Sequence, residues 1–329
     1  MTTPALNWNR SYRIVFGTPN VSDADYFKSG TISPSITASS NQNIPSNAIT
    51  ISNLATEGRA IRGFNFSLSS KRKLASKSKN TEKTTVTLLN LSPDMVSLLH
   101  KKHCLIQISA GYNENVSVIY KGYVVDVLVS RTATDVAYSI ICKDTGVDIV
   151  KAKSTVSIPE KYNAQQALKM LAKLYPSVTS VTIYGSDLSS KYSSGGWSID
   201  GKVSAEMDKM CKKYGMEYAI QNGQMVIMPK TLTQGSKDSI RLVKNNYTFT
   251  EDIIKSVTKT KSTKKASAVP QYKNVTVRTY LVPFSFSQVF TLPTSDYYDV
   301  SGTYRPKVIS YDLNSRGNAW DVIIEGTPL

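Results

Sequence analysis

Along most of this chain apolar and polar residues alternate with a period of two, and in three places the period lengthens to that of a helix. Tyr12–Phe16 reads as a short strand. From about Gly17 to Asn53 the chain is rich in Ser, Asn, Thr and Pro, which predicts a long loop or extended arm. Strand alternation resumes over Arg62–Ser69, where Phe64, Phe66 and Leu68 interleave with Asn65 and Ser67, and continues through Thr84–Leu91. A short helix follows. Ser92 is placed to cap it, Pro93 fits its first position, and Asp94 favours the positive end of its dipole. Val96 and Leu99 fall on one face, with Lys101 and Lys102 at the far end. Cys104–Tyr112, Val116–Arg131 and Val136–Lys143 then read as three strands, with a bulge expected at Gly122. Residues 1–150 are thus expected to form an antiparallel β-domain, and closure into a small barrel would remove its edges.

The pattern changes near Lys151. Asn163 is placed to cap a helix whose Ala164, Leu168, Leu171, Ala172 and Tyr175 share a face, with Pro176 ending it. A strand over Val178–Tyr184 leads through Ser193-Ser194-Gly195-Gly196-Trp197 to a second helix, Val203 to Tyr214, stopped by Gly215. Val203, Met207, Met210, Cys211 and Tyr214 make its buried stripe. Asn222-Gly223 predicts a tight hairpin between Met216–Ile220 and Gln224–Met228. Residues 151–235 therefore read as a small α/β domain. Beyond it β-patterning returns at Asn246–Thr250, Asn274–Val282 and Val289–Leu292. A terminal hairpin of Thr303–Asp312 and Ala319–Glu325 places Trp320 and Val322 on one face, and residues 236–329 read as a second barrel-like domain. The fold class expected is mainly β with an α/β insert.

Composition adds one feature to this picture, a formal net charge of +16. Such a surplus raises the prospect of nucleic acid or anionic lipid as a partner. Its distribution argues otherwise. Lys71, Arg72, Lys73, Lys77, Lys79 and Lys83 share a Ser-rich stretch, and Lys255, Lys259, Lys261, Lys264 and Lys265 share a Ser/Thr-rich one. Neither run is interleaved with aromatics that would stack on bases. Both read as solvated or partner-facing loops, and Lys71, Arg72, Lys73, Lys77, Lys79, Lys261, Lys264 and Lys265 are the candidate partner contacts.

The search for chemistry is short. Cys104, Cys142 and Cys211 form no close pair and read as small, reduced core residues. The two histidines, His100 and His103, lack a third ligand beyond Cys104, whose strand pattern points it inward, so no metal site is expected. They also leave no histidine for a serine triad. Ser193–Gly196 does not directly open a helix, as anion binding by such a loop requires. Carboxylates at Asp299 and Asp312 or at Glu114 and Asp126, and Tyr297 and Tyr298 beside Asp296 and Asp299, offer no cleft that sequence can define. No catalytic residue and no cofactor is expected. The start MTTPALNWNR lacks a secretory pattern, and no apolar run is long enough to span a bilayer. Assembly in a cytoplasm, without membrane anchoring, is the expectation.

Several short signatures occur in order. Asn90-Leu91-Ser92 ends a strand before the short helix. Ala110-Gly111-Tyr112, Ile119-Tyr120-Lys121-Gly122 and Ile140-Ile141-Cys142-Lys143-Asp144 follow it. This run resembles the first tube-like domain of baseplate hub proteins from contractile-tailed bacteriophages, whose last signature ends in Asp-Gly where this chain interposes Thr145. The middle segment, with Lys213-Tyr214-Gly215 and the Asn222-Gly223 hairpin, resembles their α/β insert. The end, with Gly302-Thr303-Tyr304-Arg305, Val308-Ile309-Ser310-Tyr311, Trp320 and Gly326-Thr327-Pro328, resembles their second barrel, although Asp312-Leu313-Asn314 stands where Gly-Asp-Thr is common. The resemblance spans roughly residues 60–329 and leaves the arm outside.

It implies two antiparallel tail-tube-like β-barrel domains joined by the α/β domain, and a homotrimer located in the virion baseplate. Such a ring would adapt a six-fold tail tube above to a three-fold spike below, with the tape-measure protein and DNA passing through without specific binding and wedge proteins around it. A tail-like bacteriocin is an equivalent setting. A nucleic-acid-binding module using the basic loops and a tail-associated carbohydrate-active enzyme are the alternatives from other classes.

Overall fold

The computed structural model describes residues 9–18, 47–55, 60–74, 84–143, 152–158, 161–175, 178, 180–193, 195–230, 239–241, 254–260, 271–292 and 302–329. In its first part β1 (Arg10–Gly17) pairs antiparallel with β2 (Ile49–Ser52) on one side and with β5 (Leu105–Tyr112) on the other. The arm expected from Gly17 to Asn53 therefore ends in a strand, because Ile49 and Ile51 supply the alternation that completes the β1 ladder. The part of the arm from 19 to 46 lies outside the described residues. Next come β3 (Phe66–Lys73), β4 (Thr84–Leu89), helix α1 (Pro93–Leu99), β6 (Asn115–Thr132) and β7 (Asp135–Lys143).

Helix α1 is capped as the sequence predicts: the Ser92 hydroxyl accepts from the Met95 amide at 3.4 Å. Its buried residues are Met95, Leu98 and Leu99, and its C-cap is His100. Val96 is only half-buried, and no lysine lies in the last turn. The register irregularities of β6 fall at Ile119, opposite Ile108 and Ser109 of β5, and between Val124 and Asp126, rather than at Gly122. Gly122 is needed for space: a Cβ there would stand 2.4 Å from the Tyr120 hydroxyl oxygen and 2.5 Å from the Lys143 carbonyl. Gly111 is tighter still, with a Cβ falling 1.9 Å from the Asn115 carbonyl oxygen. Both glycines of the quoted signatures thus mark close approaches of strands in the β5–β6–β7 meander.

The α/β segment has β8 (Lys153–Ile158), β9 (Tyr162–Asn163), helix α2 (Ala164–Lys173), β10 (Ser180–Ile183), a 3-10 turn at Ser186–Ser189, β11 (Tyr192–Ser193), β12 (Trp197–Lys202), helix α3 (Val203–Lys213), β13 (Met216–Gln221) and β14 (Gln224–Pro229). Asn163 and Gln166 form a reciprocal capping box at α2. The two helices and the β10–β14–β13 sheet enclose a core of Leu168, Leu171, Tyr175, Met207, Met210 and Met225, among others. Asn222 and Gly223 both have positive φ, 55° and 79°, which the tight hairpin between β13 and β14 demands.

In the last part, β15 (Ser239–Arg241), β16 (Ile254–Thr260), β17 (Gln271–Tyr280), β18 (Val289–Leu292), β19 (Gly302–Asn314) and β20 (Trp320–Pro328) follow. The segment holding Lys255 and Lys259, expected as a loop, is strand β16, paired with β17. The strand expected at Asn246–Thr250 lies outside the described residues. The mainly β class with an α/β insert is what the structure has. Among the described residues, thirteen strands join in one sheet ordered β16-β17-β20-β19-β3-β4-β7-β6-β5-β1-β2, with β18 and β15 branching from β19. The thirteen-residue β19 makes the joint: its start pairs with β18, its end with β3, and Tyr304–Leu313 with β20. One hydrophobic cluster correspondingly runs from Tyr12, Ile14 and Phe16 to Val322 and Ile324, and takes in Ala219, Val226 and Met228 of the insert hairpin.

Gly111→Ala and Gly122→Ala are expected to lower stability by about 1–3 kcal/mol each through overpacking. Gly195→Ala, with no atom within 4 Å of the added Cβ, is the neutral control. Urea denaturation of the three variants checks this, and equal midpoints would remove the steric account. A second expectation concerns alkali. Burial pushes the Cys104 and Cys211 thiols and the Tyr112 phenol up to about 12, from ordinary values of 9.0 and 10.0. The unfolded chain thus releases these protons first as pH rises. The stability they contribute is whole below pH 9.0 and lost on the way to about 12. Denaturation midpoints under reducing conditions should fall between about pH 8.5 and about pH 11. A flat profile would contradict it.

Candidate functional site

Among the described residues no catalytic constellation assembles. His100 is exposed at the end of α1, and His103 sits in a turn with φ +59°. Among the described residues no group of three or more His, Cys, Asp or Glu is placed to hold a metal ion. Glu114 accepts a bond from the Ala55 amide at 3.1 Å, and Asp126 accepts one from the Val127 amide at 2.9 Å, so each is engaged locally. Ser193 belongs to β11, which pairs with β9. Ser194, Asp296, Tyr297, Tyr298 and Asp299 lie outside the described residues. No helix among the described residues is long and apolar enough to cross a membrane. An open cleft of about 350 Å³ lies where Gly111, Tyr112 and Asn115 face Tyr280, Leu281 and Pro283.

What the fold does build is a set of cationic joints, two of them buried. Arg72, expected on a partner-facing loop, is on β3 and only 5% exposed. Its guanidinium donates to the Ile119 carbonyl at 3.0 Å and to Asn222 Oδ1 at 2.8 Å, and lies 4.9 Å from the centre of the Tyr120 ring. The same Asn222 oxygen accepts from the Lys121 amide at 2.9 Å. The alternation that buries Phe66 and Leu68 also buries Ser70 and Arg72, so the basic run is split by the pleat. Lys71 and Lys73 point outward, and Lys71 comes to 3.9 Å from Glu325. Lys77, Lys79, Lys261, Lys264 and Lys265 lie outside the described residues.

The second joint went unread in the sequence. Arg305 on β19 is 2% exposed and forms an ion pair with Glu217 on β13, itself 8% exposed. It also donates to the carbonyls of Pro229 at 3.1 Å and Lys230 at 2.8 Å. Burial lowers the proton affinity of this guanidinium and the Glu217 carboxylate opposes the change, which is the electrostatics of a structural pair. Nearby, Gln221 Nε2 donates to the Phe284 carbonyl at 2.7 Å. The β13–β14 hairpin is therefore held at its tip by the first β-part and along its side by the second. The available signal was an arginine flanked by Tyr304 and Pro306, at a position the strand buries.

A third joint ties the chain's two ends. Arg10 on β1 reaches the carbonyls of Asn314 at 3.0 Å and Asn318 at 3.1 Å, also contacts the Gly317 carbonyl, and lies 5.5 Å from the Trp320 ring centre. The Trp320 indole donates to the Gly111 carbonyl at 3.3 Å, and the Tyr112 hydroxyl donates to the Trp320 carbonyl at 3.3 Å. Removing one member of a buried pair strands the other. Arg305→Met is therefore expected to cost about 3–5 kcal/mol in urea denaturation. Arg305→Met with Glu217→Leu should recover much of it. A cost below about 1 kcal/mol for the single variant would show the pair to be dispensable.

No family profile matches the sequence, and no curated protein matches it. Solved structures do. The tail protein from Neisseria meningitidis MC58 superposes with a TM-score of 0.52 at 8% identity, over 80% of this chain and 96% of that one. The 43 kDa tail protein of prophage MuSo2 from Shewanella oneidensis gives 0.52 at 11% identity, over 83% and 96%. A component of the E. coli type VI secretion system, described as structurally similar to the T4 bacteriophage tail proteins gp27 and gp5, gives 0.50 at 6% identity, over 80% and 73%. At such identities the likeness is one of fold: this chain is built on the architecture that these phage tail and type VI secretion proteins share.

Proposed function

We propose that the chain is a non-enzymatic structural protein of a contractile tail: the central baseplate hub, in a virion or in a headless tail-like bacteriocin. Three copies would form a ring with a channel. Each copy would contribute a β-half from residues 1–150 and another from 236–329, with residues 151–235 as the insert between them. Six such β-halves would match a six-fold tube above, and three copies would match a three-fold spike below. The tape-measure protein and DNA would pass through the channel. Wedge proteins would surround the ring, and Lys71, Lys73, Lys77, Lys79, Lys261, Lys264 and Lys265 would face partners rather than the channel, where they would bind and retard DNA.

The observation that carries this reading is the shared architecture with tail and secretion components over about 80% of the chain. The interior supports it too. Its buried polar groups join one part of the chain to another, as in Arg72 with Asn222 and Arg305 with Glu217.

Light scattering with negative-stain microscopy tests the proposal. A stable ring of three copies, alone or with a co-expressed spike protein, is the expected result. A strict monomer under both conditions would overturn it.

A further inference from the structure

Strand β6 is eighteen residues long and outruns the sheet that covers it. Its middle reads Val124-Val125-Asp126-Val127-Leu128-Val129, a nearly continuous apolar run of the kind found in strands buried on both faces. Only part of that burial is met. Val127, paired with Ile140, lies in the main core. Val125, Leu128 and Val129 are 52%, 53% and 57% exposed. Leu128 and Val129 are consecutive and so face opposite sides, and beyond them Ser130, Arg131, Ala133, Thr134 and Asp135 are exposed as well. Leu128 and Val129 pair with Ser139 and Tyr138, which β4 still flanks, while the β5 ladder on β6 ends at Tyr123, so these large apolar groups stand in water on both faces of an edge segment. Such an edge is open to further pairing and packing.

Charge selects the occupant. In a chain of net charge +16, contact between two copies must avoid bringing lysines together. From Gly122 to Cys142 there is no lysine, and the one arginine, Arg131, is outnumbered by Asp126 and Asp135. This stretch combines exposed apolar side chains with the absence of the chain's repulsive charge.

We propose that the projecting β6–β7 hairpin is the surface on which a second copy of this chain docks, with Val125, Leu128 and Val129 as its apolar anchors. The proposal rests on the self-assembly read above and assigns it a place. On docking, Leu128 and Val129 become covered and the hairpin acquires the two-sided burial its sequence is patterned for.

The test uses the full chain in sedimentation velocity. Leu128→Lys with Val129→Lys should raise the dissociation constant of the wild-type oligomer by about thirtyfold or more, the effect of losing a central anchor. Its melting temperature should be unchanged when measured at a dilution where both proteins are monomeric. Tyr192→Lys, at an aromatic elsewhere that is 73% exposed, should leave association intact. Hydrogen exchange on the wild-type chain gives a readout without substitution: amides of residues 124–139 should exchange more slowly in the oligomer than after dilution. If the wild type assembles but the double variant assembles equally well, or the hairpin gains no protection, the hairpin proposal fails and the hub reading stands. If the wild type is a monomer throughout, both fail.

Discussion

The arrangement depends on how one hairpin is held. The β13–β14 turn carries Asn222 to a half-buried place where Arg72 and the Lys121 amide both meet its side-chain oxygen. Along the same hairpin Glu217 and the carbonyls of Pro229 and Lys230 receive Arg305. A guanidinium out of water must find acceptors in several directions at once, and each of these two finds them on more than one element. The insert is therefore fixed against both β-parts by directional contacts, while Ala219, Val226 and Met228 add apolar burial from the same hairpin. Apolar packing alone would tolerate sliding. Two buried arginines on different strands do not.

The strands follow from the same constraint. Because β19 serves β18 at its start and β3 at its end, the two β-parts are continuous through hydrogen bonds as well as through the core. The register shift between Pro306 and Val308 lies where the strand changes partners, and Arg305 sits just before it. Arg10 closes the opposite side by holding the turn between β19 and β20 against β1.

Local chemistry was legible wherever it depended on neighbours in sequence. Ser92 and Asn163 cap their helices, Asn222-Gly223 turns its hairpin, and the stripe from Ala164 to Tyr175 is buried as its spacing requires. What alternation could not disclose was which outward position meets a partner strand or the insert. Arg72 looked like one of a run of solvated charges, yet the pleat turns every second residue inward, and the insert supplies one of its acceptors from 150 positions away. Ile49–Ser52 is too short a run to stand out from a Ser-rich arm, and only β1 makes it a strand. The Glu217–Arg305 pair was hidden for the same reason: each residue is ordinary in its own neighbourhood.

The join between β3 and β19 has a consequence for synthesis. It couples residues 66–73 to residues 308–314, and the Phe66 amide is capped by Ser315, 249 positions later. A ribosome makes the first strand of this pair long before the second, and pairings of such separation form slowly. During that interval β3 is an open edge, able to pair with the same strand of a neighbouring nascent chain. Lys71, Arg72 and Lys73 lie along it, and three positive charges on one edge discourage two such strands from meeting. Once the chain is complete, the arginine turns to internal bonding and the edge is sealed. One residue of that charged run, Arg72, thus also helps to lock the insert.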